Sequence, residues 1–279
     1  MFKELQKIYN KFPYISDPDI KEDIKDNRYR KGLKTHEVNG IAIPFNPDWK
    51  KIAVNLSGGA DSAIMTYTLC KLIEENNFDA KIDVITHVRV WNNRPWAGPV
   101  SINVYNKLKE YFPNIINERH RNYIPPELEH GAVGNILGDQ SGDMIIVDSF
   151  NNYIAHDQNL DAIFNFTTKD PSVPGLRAPK RDRSIDSIVF EDLAQNRTHY
   201  WLLKPMIVTE KDWIIEQYHY HNVLDLLETT RSCEGDQNNN DMFIGYDYTT
   251  YKVGQEIPEC GVCYWCRERN WAIEKVKNK

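Results

Sequence analysis

Short apolar runs alternate along this chain with stretches whose apolar residues recur at helical spacing. Runs typical of buried parallel strands occur at 51–54, 81–90, 115–120, 162–168 and 200–206. Helical spacing is found at 63–73, 102–111 and 144–156, and a further helix is expected after Thr209 as its N-cap. This alternation predicts an α/β fold, an open parallel sheet with helices on both faces.

The first 50 residues differ from the rest in being polar and rich in Lys, Asp and Pro. Within them, the segment 36–44 predicts two short strands around the turn Asn39-Gly40. We expect residues 1–50 to form an N-terminal extension, 51–230 the α/β domain and 231–279 a C-terminal segment. The glycine- and proline-containing stretch 121–143 is expected to be a long loop.

The stretch 55–62, Asn-Leu-Ser-Gly-Gly-Ala-Asp-Ser, joins the first strand to the first helix. Gly58 and Gly59 allow a tight turn, and the N–H groups at the helix start favour an anion above it. Ser57 and Ser62 add hydroxyl donors. Asp61 would repel a phosphate unless a cation lay between them, so the set indicates a nucleotide with magnesium. An ordinary glycine turn is the alternative, and the string is neither a Walker A motif nor G-x-G-x-x-G.

Composition narrows the classes of partner. The chain has 279 residues and a net charge of −6, which disfavours loose charge-driven binding to nucleic acid. No apolar run approaches the about 20 residues of a membrane span, and the start lacks a signal peptide's apolar segment. We therefore expect a cytoplasmic protein, in which cysteines serve metal binding or catalysis rather than disulfides.

Four further residues are candidates because of where they lie in the predicted elements. His87 lies in the second strand, and Asp170 and Arg177 follow the strand at 162–168, where open parallel sheets bind ligands. A solvated basic loop is the alternative for Arg177. Lys211 lies at a helix start, against the helix dipole, and is better explained if its ammonium meets an anion.

Four of the five cysteines lie near the end of the sequence. Cys260, Cys263 and Cys266 have the spacing C-x₂-C-x₂-C, and Cys233 precedes them. Four thiolates can close a tetrahedral zinc site, which we favour. An iron–sulfur cluster is the rival, although the ferredoxin pattern expects a cysteine where Asn270 stands. Cys70 lies among apolar residues of a helix and is expected in the core.

Several of these motifs together resemble a known superfamily. The string Ser57–Ser62 resembles the pyrophosphate-binding loop of the N-type ATP pyrophosphatases, or PP-loop enzymes. The second half resembles one branch, the 7-cyano-7-deazaguanine synthase (QueC) family. The residues concerned are Lys204-Pro205-Met206 with Thr209-Glu210-Lys211, then Thr230-Arg231-Ser232-Cys233, and the run from Cys260 to Arg267.

The resemblance implies a Rossmann-like fold of the adenine nucleotide alpha-hydrolase type and an ATP-dependent ligase of queuosine biosynthesis. Such an enzyme adenylates 7-carboxy-7-deazaguanine and aminates it with ammonia, through the amide, to the nitrile preQ0. It implies ATP and Mg²⁺ at the loop, with His87 near the nucleotide. Asp61 and Lys211 would act in catalysis, and Asp170 and Arg177 would contact the substrate. The four cysteines would bind Zn²⁺. A homodimer without direct nucleic-acid binding is implied as well. The alternatives are another PP-loop reaction, such as tRNA thiolation, and a nucleotide-binding protein without catalysis.

Overall fold

The computed structural model describes residues 32–89, 97–124, 142–176, 188–193, 198–233 and 259–279. Within these ranges the strands are β1 (Lys34–Val38), β2 (Ile41–Phe45), β3 (Lys51–Asn55), β4 (Lys81–Arg89), β5 (Ile116–Ile124), β6 (Ala162–Phe164), β7 (Ile188–Leu193) and β8 (Thr198–Leu203). The helices are α1 (Ala60–Glu75), α2 (Ala97–Tyr111), α3 (Gly142–Asp157), α4 (Lys211–Tyr220), α5 (Leu224–Thr229) and α6 (Tyr264–Lys277).

The main sheet has the strand order β5-β4-β3-β6-β8-β7. The five strands β5, β4, β3, β6 and β8 run parallel, and β7 pairs antiparallel with β8 at one edge. Strands are added outward in opposite directions from β3 and β6, so a topological switch point lies between these two. In open α/β sheets the crevice beyond the carboxyl ends at such a point is where ligands bind.

Strand β3 is central because both of its faces are covered. Ile52 and Val54 pack in the core cluster that includes α1, α2 and α4, whereas Ala53 faces the opposite cluster with Ile154 of α3. Successive residues of a strand point to opposite faces, so an unbroken apolar run is what a doubly covered strand requires. The predicted α/β fold, with helices on both faces of the sheet, is confirmed.

The predicted hairpin in the N-terminal segment is also present. β1 pairs antiparallel with β2, and Asn39 and Gly40 have φ of 47° and 82°, the left-handed pair of a two-residue hairpin turn. Ile41, Ile43 and Phe45 alternate with more exposed residues and pack into the main core. The ring of Phe45 stacks on Phe78 with centroids 5.1 Å apart.

Several predicted boundaries differ from the structure. The expected cap of α4 is wrong: Glu210 is the N-cap, and the Thr209 hydroxyl donates instead to the Met206 carbonyl at 2.8 Å, closing the preceding turn. Strand β5 continues through residues 121–124, which were assigned to a loop, because it pairs with β4 up to Arg89. Residues 125–141 of that loop lie outside the described residues, and the division at residues 50 and 230 stays a prediction. None of the helices in the described ranges has the length and apolarity to cross a bilayer.

One buried carboxylate joins the amino ends of three parallel strands. Asp83 of β4 is 0% exposed; its Oδ1 accepts from the Asn117 amide at 2.7 Å, and its Oδ2 lies 3.0 Å from His120 Nε2. Lys51 Nζ, from β3, lies 3.2 Å from the same Oδ2. Burial alone would raise the pKa of Asp83, but the hydrogen bonds from His120 and Asn117 and the Lys51 ammonium lower it below its ordinary value.

We expect Asp83→Ala to lower the free energy of unfolding by about 3 kcal/mol, because it leaves Lys51 and the two hydrogen-bonding side chains without their partner. Urea unfolding at neutral pH measures this. A carboxylate with a lowered pKa stabilises the folded state above its unfolded pKa, so the difference from wild type should shrink as the pH falls below about 4. Asp79→Ala is the control, since its pair with Lys50 is exposed and its loss should change little. Equal effects of the two variants would contradict the assignment.

Candidate functional site

The glycine loop lies at the switch point, between the end of β3 and the start of α1. Gly58 has a φ of 82°, and Gly59 is the N-cap of α1 in an extended conformation. The hydroxyls of Ser57 and Ser62 are 3.3 Å apart, and Ser62 also donates to the Gly59 carbonyl at 3.1 Å. The first N–H groups of α1 therefore lie under a loop lined by two hydroxyls, an arrangement that suits a phosphate.

Two other segments hold this loop closely from outside. A Cβ on Gly58 would lie 2.8 Å from Val100 Cγ1 and 2.9 Å from the backbone nitrogen of Ser101, both in α2. The Gly58 carbonyl accepts from Arg231 N at 3.0 Å. A Cβ on Gly59 would lie 3.1 Å from the Ser232 hydroxyl. Position 58 thus requires glycine both for its backbone conformation and for space.

The structure brings together the two predicted catalytic residues, which are 150 positions apart. Lys211 Nζ lies 2.6 Å from both carboxylate oxygens of Asp61. The lysine side chain is 1% exposed and that of Asp61 is 19% exposed. Lys211 is the first residue of α4, so its buried ammonium is placed at the mouth of the glycine loop by a helix that packs against α1. Catalytic roles for both residues stay predictions.

Glu268 completes this charge cluster and is absent from the predicted site residues. Its side chain is 0% exposed; Oε2 lies 3.5 Å from Lys211 Nζ and Oε1 accepts from the Tyr264 hydroxyl at 2.8 Å. A signal was present: Tyr264, Glu268 and Ala272 are spaced four apart and form the buried face of α6. A carboxylate on an otherwise buried helix face requires a partner, and Lys211 is that partner.

Of the two predicted substrate residues, one can be placed. Asp170 follows β6 at the switch point, and its Oδ1 lies 3.2 Å from the Tyr264 hydroxyl of α6. Arg177 lies outside the described residues. Substrate contacts by both stay predictions.

The predicted nucleotide contact His87 is held by two amides. Its Nδ1 accepts from the Asn122 amide at 3.1 Å, and its Nε2 lies 3.2 Å from Asn151 Oδ1. With these partners Nε2 is the donor to the Asn151 oxygen. Because both ring nitrogens are engaged within the protein, a nucleotide here would meet the ring's carbon edge or face.

A second carboxylate overlooked in the sequence lies on α3. Burial raises the pKa of Asp148 to about 6, although the nearby Lys204 ammonium acts in the opposite direction. A carboxyl group that ionises near neutral pH is costly to keep in a folded protein, and such groups concentrate at functional sites. Nothing in the apolar pattern of α3 singled out this position.

The four predicted cysteine ligands converge. The Sγ atoms of Cys233, Cys260, Cys263 and Cys266 all lie within 4.8 Å of one another. Cys260 Sγ and Cys266 Sγ are 3.9 Å apart, close to the edge of about 3.8 Å in a tetrahedron of metal–sulfur bonds of about 2.3 Å. Backbone N–H groups of Cys263 and Cys266 lie 3.2 and 3.4 Å from the sulfurs of Cys260 and Cys263.

This cysteine cluster fits a metal ion in chemistry as well as in geometry. Hydrogen bonds with Cys233 and Cys263, together with burial, raise the pKa of the Cys266 thiol well above its ordinary value. Crowded thiols resist ionisation without a compensating cation, which a bound metal would provide. The cluster is tied to the protein through α6: Arg269 donates to the carbonyls of Thr230 and Leu227 at 3.0 and 3.3 Å.

Solved structures similar to this chain include two enzymes. The U34-tRNA thiolase NcsA from Methanococcus maripaludis, with its 4Fe–4S cluster, is 14% identical with a TM-score of 0.40, over 95% of this chain and 82% of that one. N,N'-diacetylchitobiose deacetylase from Pyrococcus horikoshii, complexed with its inhibitor MPG, is 12% identical with a TM-score of 0.29, over 59% and 54%. No protein-family model and no curated protein matches the sequence.

A side chain at position 58 should displace the glycine loop. We expect Gly58→Ala to weaken the predicted nucleotide binding at least about tenfold, since a displaced loop could not make the predicted phosphate contacts. Calorimetric titration with MgATP measures this. Gly40→Ala is the matched control: its φ is also 82°, but nothing lies within 4 Å of the added Cβ. Both variants bear the backbone strain and only one bears the clash, so equal losses of binding would contradict the close approach.

Removal of one cysteine sulfur should empty the metal site. We expect about one metal ion per chain in the purified full-length protein and less than about a tenth of that in Cys263→Ser, because a tetrahedral site needs all four ligands. Elemental analysis measures the content. Cys70→Ala is the control, since Cys70 is buried in α1 apart from the cluster. Undiminished metal in Cys263→Ser would refute the ligand set.

Proposed function

We propose that this chain is an ATP-dependent carbon–nitrogen ligase of the PP-loop superfamily, acting as a 7-cyano-7-deazaguanine synthase. The observation that supports it most is the pairing of Lys211 with Asp61 at 2.6 Å beside a glycine loop at the switch point. The cysteine cluster, which directly adjoins that loop through residues 230–233, supports the branch. The sequence resemblance rests on the glycine loop, the segment around Lys211 and the cysteine motifs.

In the proposed reaction the ATP phosphates lie on the glycine loop. N–H groups at the start of α1 and the hydroxyls of Ser57 and Ser62 hold the phosphate oxygens. Asp61 would hold the magnesium ion that accompanies ATP, and Lys211 would then be free to contact the β- and γ-phosphates. The ion pair between Asp61 and Lys211 would thus open as the nucleotide binds, with Asp61 contacting magnesium and Lys211 contacting phosphate.

The chemistry is two nucleotidyl transfers with a capture step between them. A carboxylate oxygen of 7-carboxy-7-deazaguanine attacks the α-phosphorus, and the bond to pyrophosphate breaks. Ammonia attacks the acyl carbon of the adenylate and AMP leaves, giving the amide and a proton. The amide oxygen then attacks the α-phosphorus of a second ATP and pyrophosphate leaves; departure of AMP with that oxygen, and loss of both protons of the amide nitrogen, gives the nitrile. Charge neutralisation by Lys211 and the loop is what the protein contributes to each transfer.

We further propose that the cysteine cluster holds zinc as a structural ion. Four thiolates fill a tetrahedral site and leave no open position for substrate. The sulfur separations, none above 4.8 Å, favour one ion over an iron–sulfur cluster, whose thiolates bind separate iron atoms. Bound zinc would tie α6 to residues 230–233.

The acceptor would lie beside β6, with Asp170 as one contact and Arg177 as a second. Both follow the predicted strand at 162–168 in the sequence, and open parallel sheets bind ligands beyond their carboxyl ends, which supports an acceptor next to the phosphates. The resemblance carries the remaining parts of this proposal: a cytoplasmic homodimer that acts on a small molecule and does not bind nucleic acid itself.

The direct test incubates the full chain with ATP, magnesium, ammonium and 7-carboxy-7-deazaguanine. We expect release of pyrophosphate and AMP and formation of the amide and nitrile, followed by mass spectrometry. Lys211→Ala and Asp61→Ala should each lower the rate at least about a hundredfold with metal content unchanged, because each removes a charge from the transfer step. Lys71→Ala is the control and should leave the rate unchanged, because the Lys71 ammonium lies on the outer face of α1 and pairs with Glu74.

Other outcomes separate the alternatives. Pyrophosphate release with a different acceptor, and none with this one, would indicate another PP-loop reaction such as tRNA thiolation. MgATP binding without pyrophosphate release from any acceptor would indicate a nucleotide-binding protein without catalysis. Iron and sulfide in anaerobically purified protein would overturn the zinc assignment.

A further inference from the structure

Two connections run from the cysteine cluster to the glycine loop. The first is the segment 230–233. Cys233 Sγ accepts from Cys260 N at 3.3 Å, and two residues earlier Arg231 N donates to the Gly58 carbonyl at 3.0 Å. A shift of Cys233 therefore moves a hydrogen bond of the loop.

The second connection runs through α6. Cys263 is the N-cap of this helix and Cys266 lies in its first turn. Two residues on, Glu268 lies 3.5 Å from Lys211 Nζ, and Lys211 contacts Asp61 of the loop. All three side chains of this connection, Cys266, Glu268 and Lys211, are buried.

Burial makes this ion pair sensitive to the position of α6. A buried carboxylate is costly unless its partner is held in good geometry, and a side chain of similar size without charge would pack there more cheaply. Retraction of Glu268 would leave Lys211 with Asp61 as its one remaining counter-charge among the pairs described. The ammonium would then be held by the residue that the nucleotide's magnesium requires.

We propose that metal binding at the cysteine cluster and nucleotide binding at the glycine loop strengthen each other, with Glu268 as the positioning residue between them. This inference rests on the proposed nucleotide site. Metal fixes Cys233 and the first turn of α6, so that Arg231 N and Lys211 are already placed when the phosphates arrive. Preorganisation of this kind raises affinity, and by linkage the nucleotide must retain the metal to the same degree.

The test measures release of zinc from the full-length protein to a chromogenic chelator, with and without saturating MgATP. We expect MgATP to slow release at least about tenfold, within the usual range of coupling between sites. Gly58→Ala, in which the proposed nucleotide site is disrupted, is the control for any direct effect of ATP on zinc or on the chelator. It should show no protection.

Glu268→Gln isolates the positioning role. The amide oxygen can still accept from Tyr264, but the ion pair with Lys211 is lost, so zinc content and circular dichroism should match wild type. Protection by MgATP should fall at least about threefold, since one of the two connections is removed. Glu274→Gln, an exposed carboxylate on the same helix, should keep full protection. If Glu268→Gln does not accumulate as folded protein, Glu268→Asp, which retracts the carboxylate, is expected to lower protection in the same direction.

The outcomes separate this inference from the proposed function. MgATP that binds in calorimetry without slowing zinc release overturns the coupling and leaves the nucleotide site intact. Full protection in Glu268→Gln overturns the role of Glu268. Failure of the zinc-loaded protein to bind MgATP overturns the nucleotide site, and the coupling with it.

Discussion

A lysine buried to 1% exposure must be accompanied by negative charge, and this requirement organises the edge of the sheet that carries the glycine loop. Lys211 meets Asp61 from α1 and Glu268 from α6, so three helices converge on one ammonium. Each helix brings something further to the same place: α1 its free N–H groups, α4 the lysine itself and α6 the cysteine cluster. The glycine loop therefore lies against a cluster of charged side chains, of which Lys211 and Glu268 are buried.

The strand order explains why the assembly stands where it does. Strand β3 lies at the switch point and can be unbroken and apolar because helices cover both faces. Asp83 fixes the amino ends of the parallel strands, far from the loop, whereas the carboxyl ends are left for polar residues. The buried Asp83 network and the glycine loop thus lie at opposite ends of one sheet.

Sequence reasoning recovered the features whose signals are local. The apolar run before Gly58, the Asn39-Gly40 turn and the C-x₂-C-x₂-C spacing each specify a structure within a few residues, and the structure contains each of them. It failed where tertiary contacts decide. Thr209 bonds backward to Met206 rather than capping α4, and Glu268 becomes meaningful only once Lys211 is known to face it. The antiparallel strand β7 was not predicted, although it begins with Ile-Val-Phe.

The separation of 150 positions between Asp61 and Lys211 also bears on how the protein acquires its site during folding. The turn between β3 and α1 can form from neighbouring residues, but its ion pair closes a loop that spans more than half the chain. Contacts of such separation form late, after most of the chain entropy has been lost. A partly folded chain would therefore carry the glycine turn without the ammonium that faces it, and the candidate site would be complete only once the tertiary structure is finished.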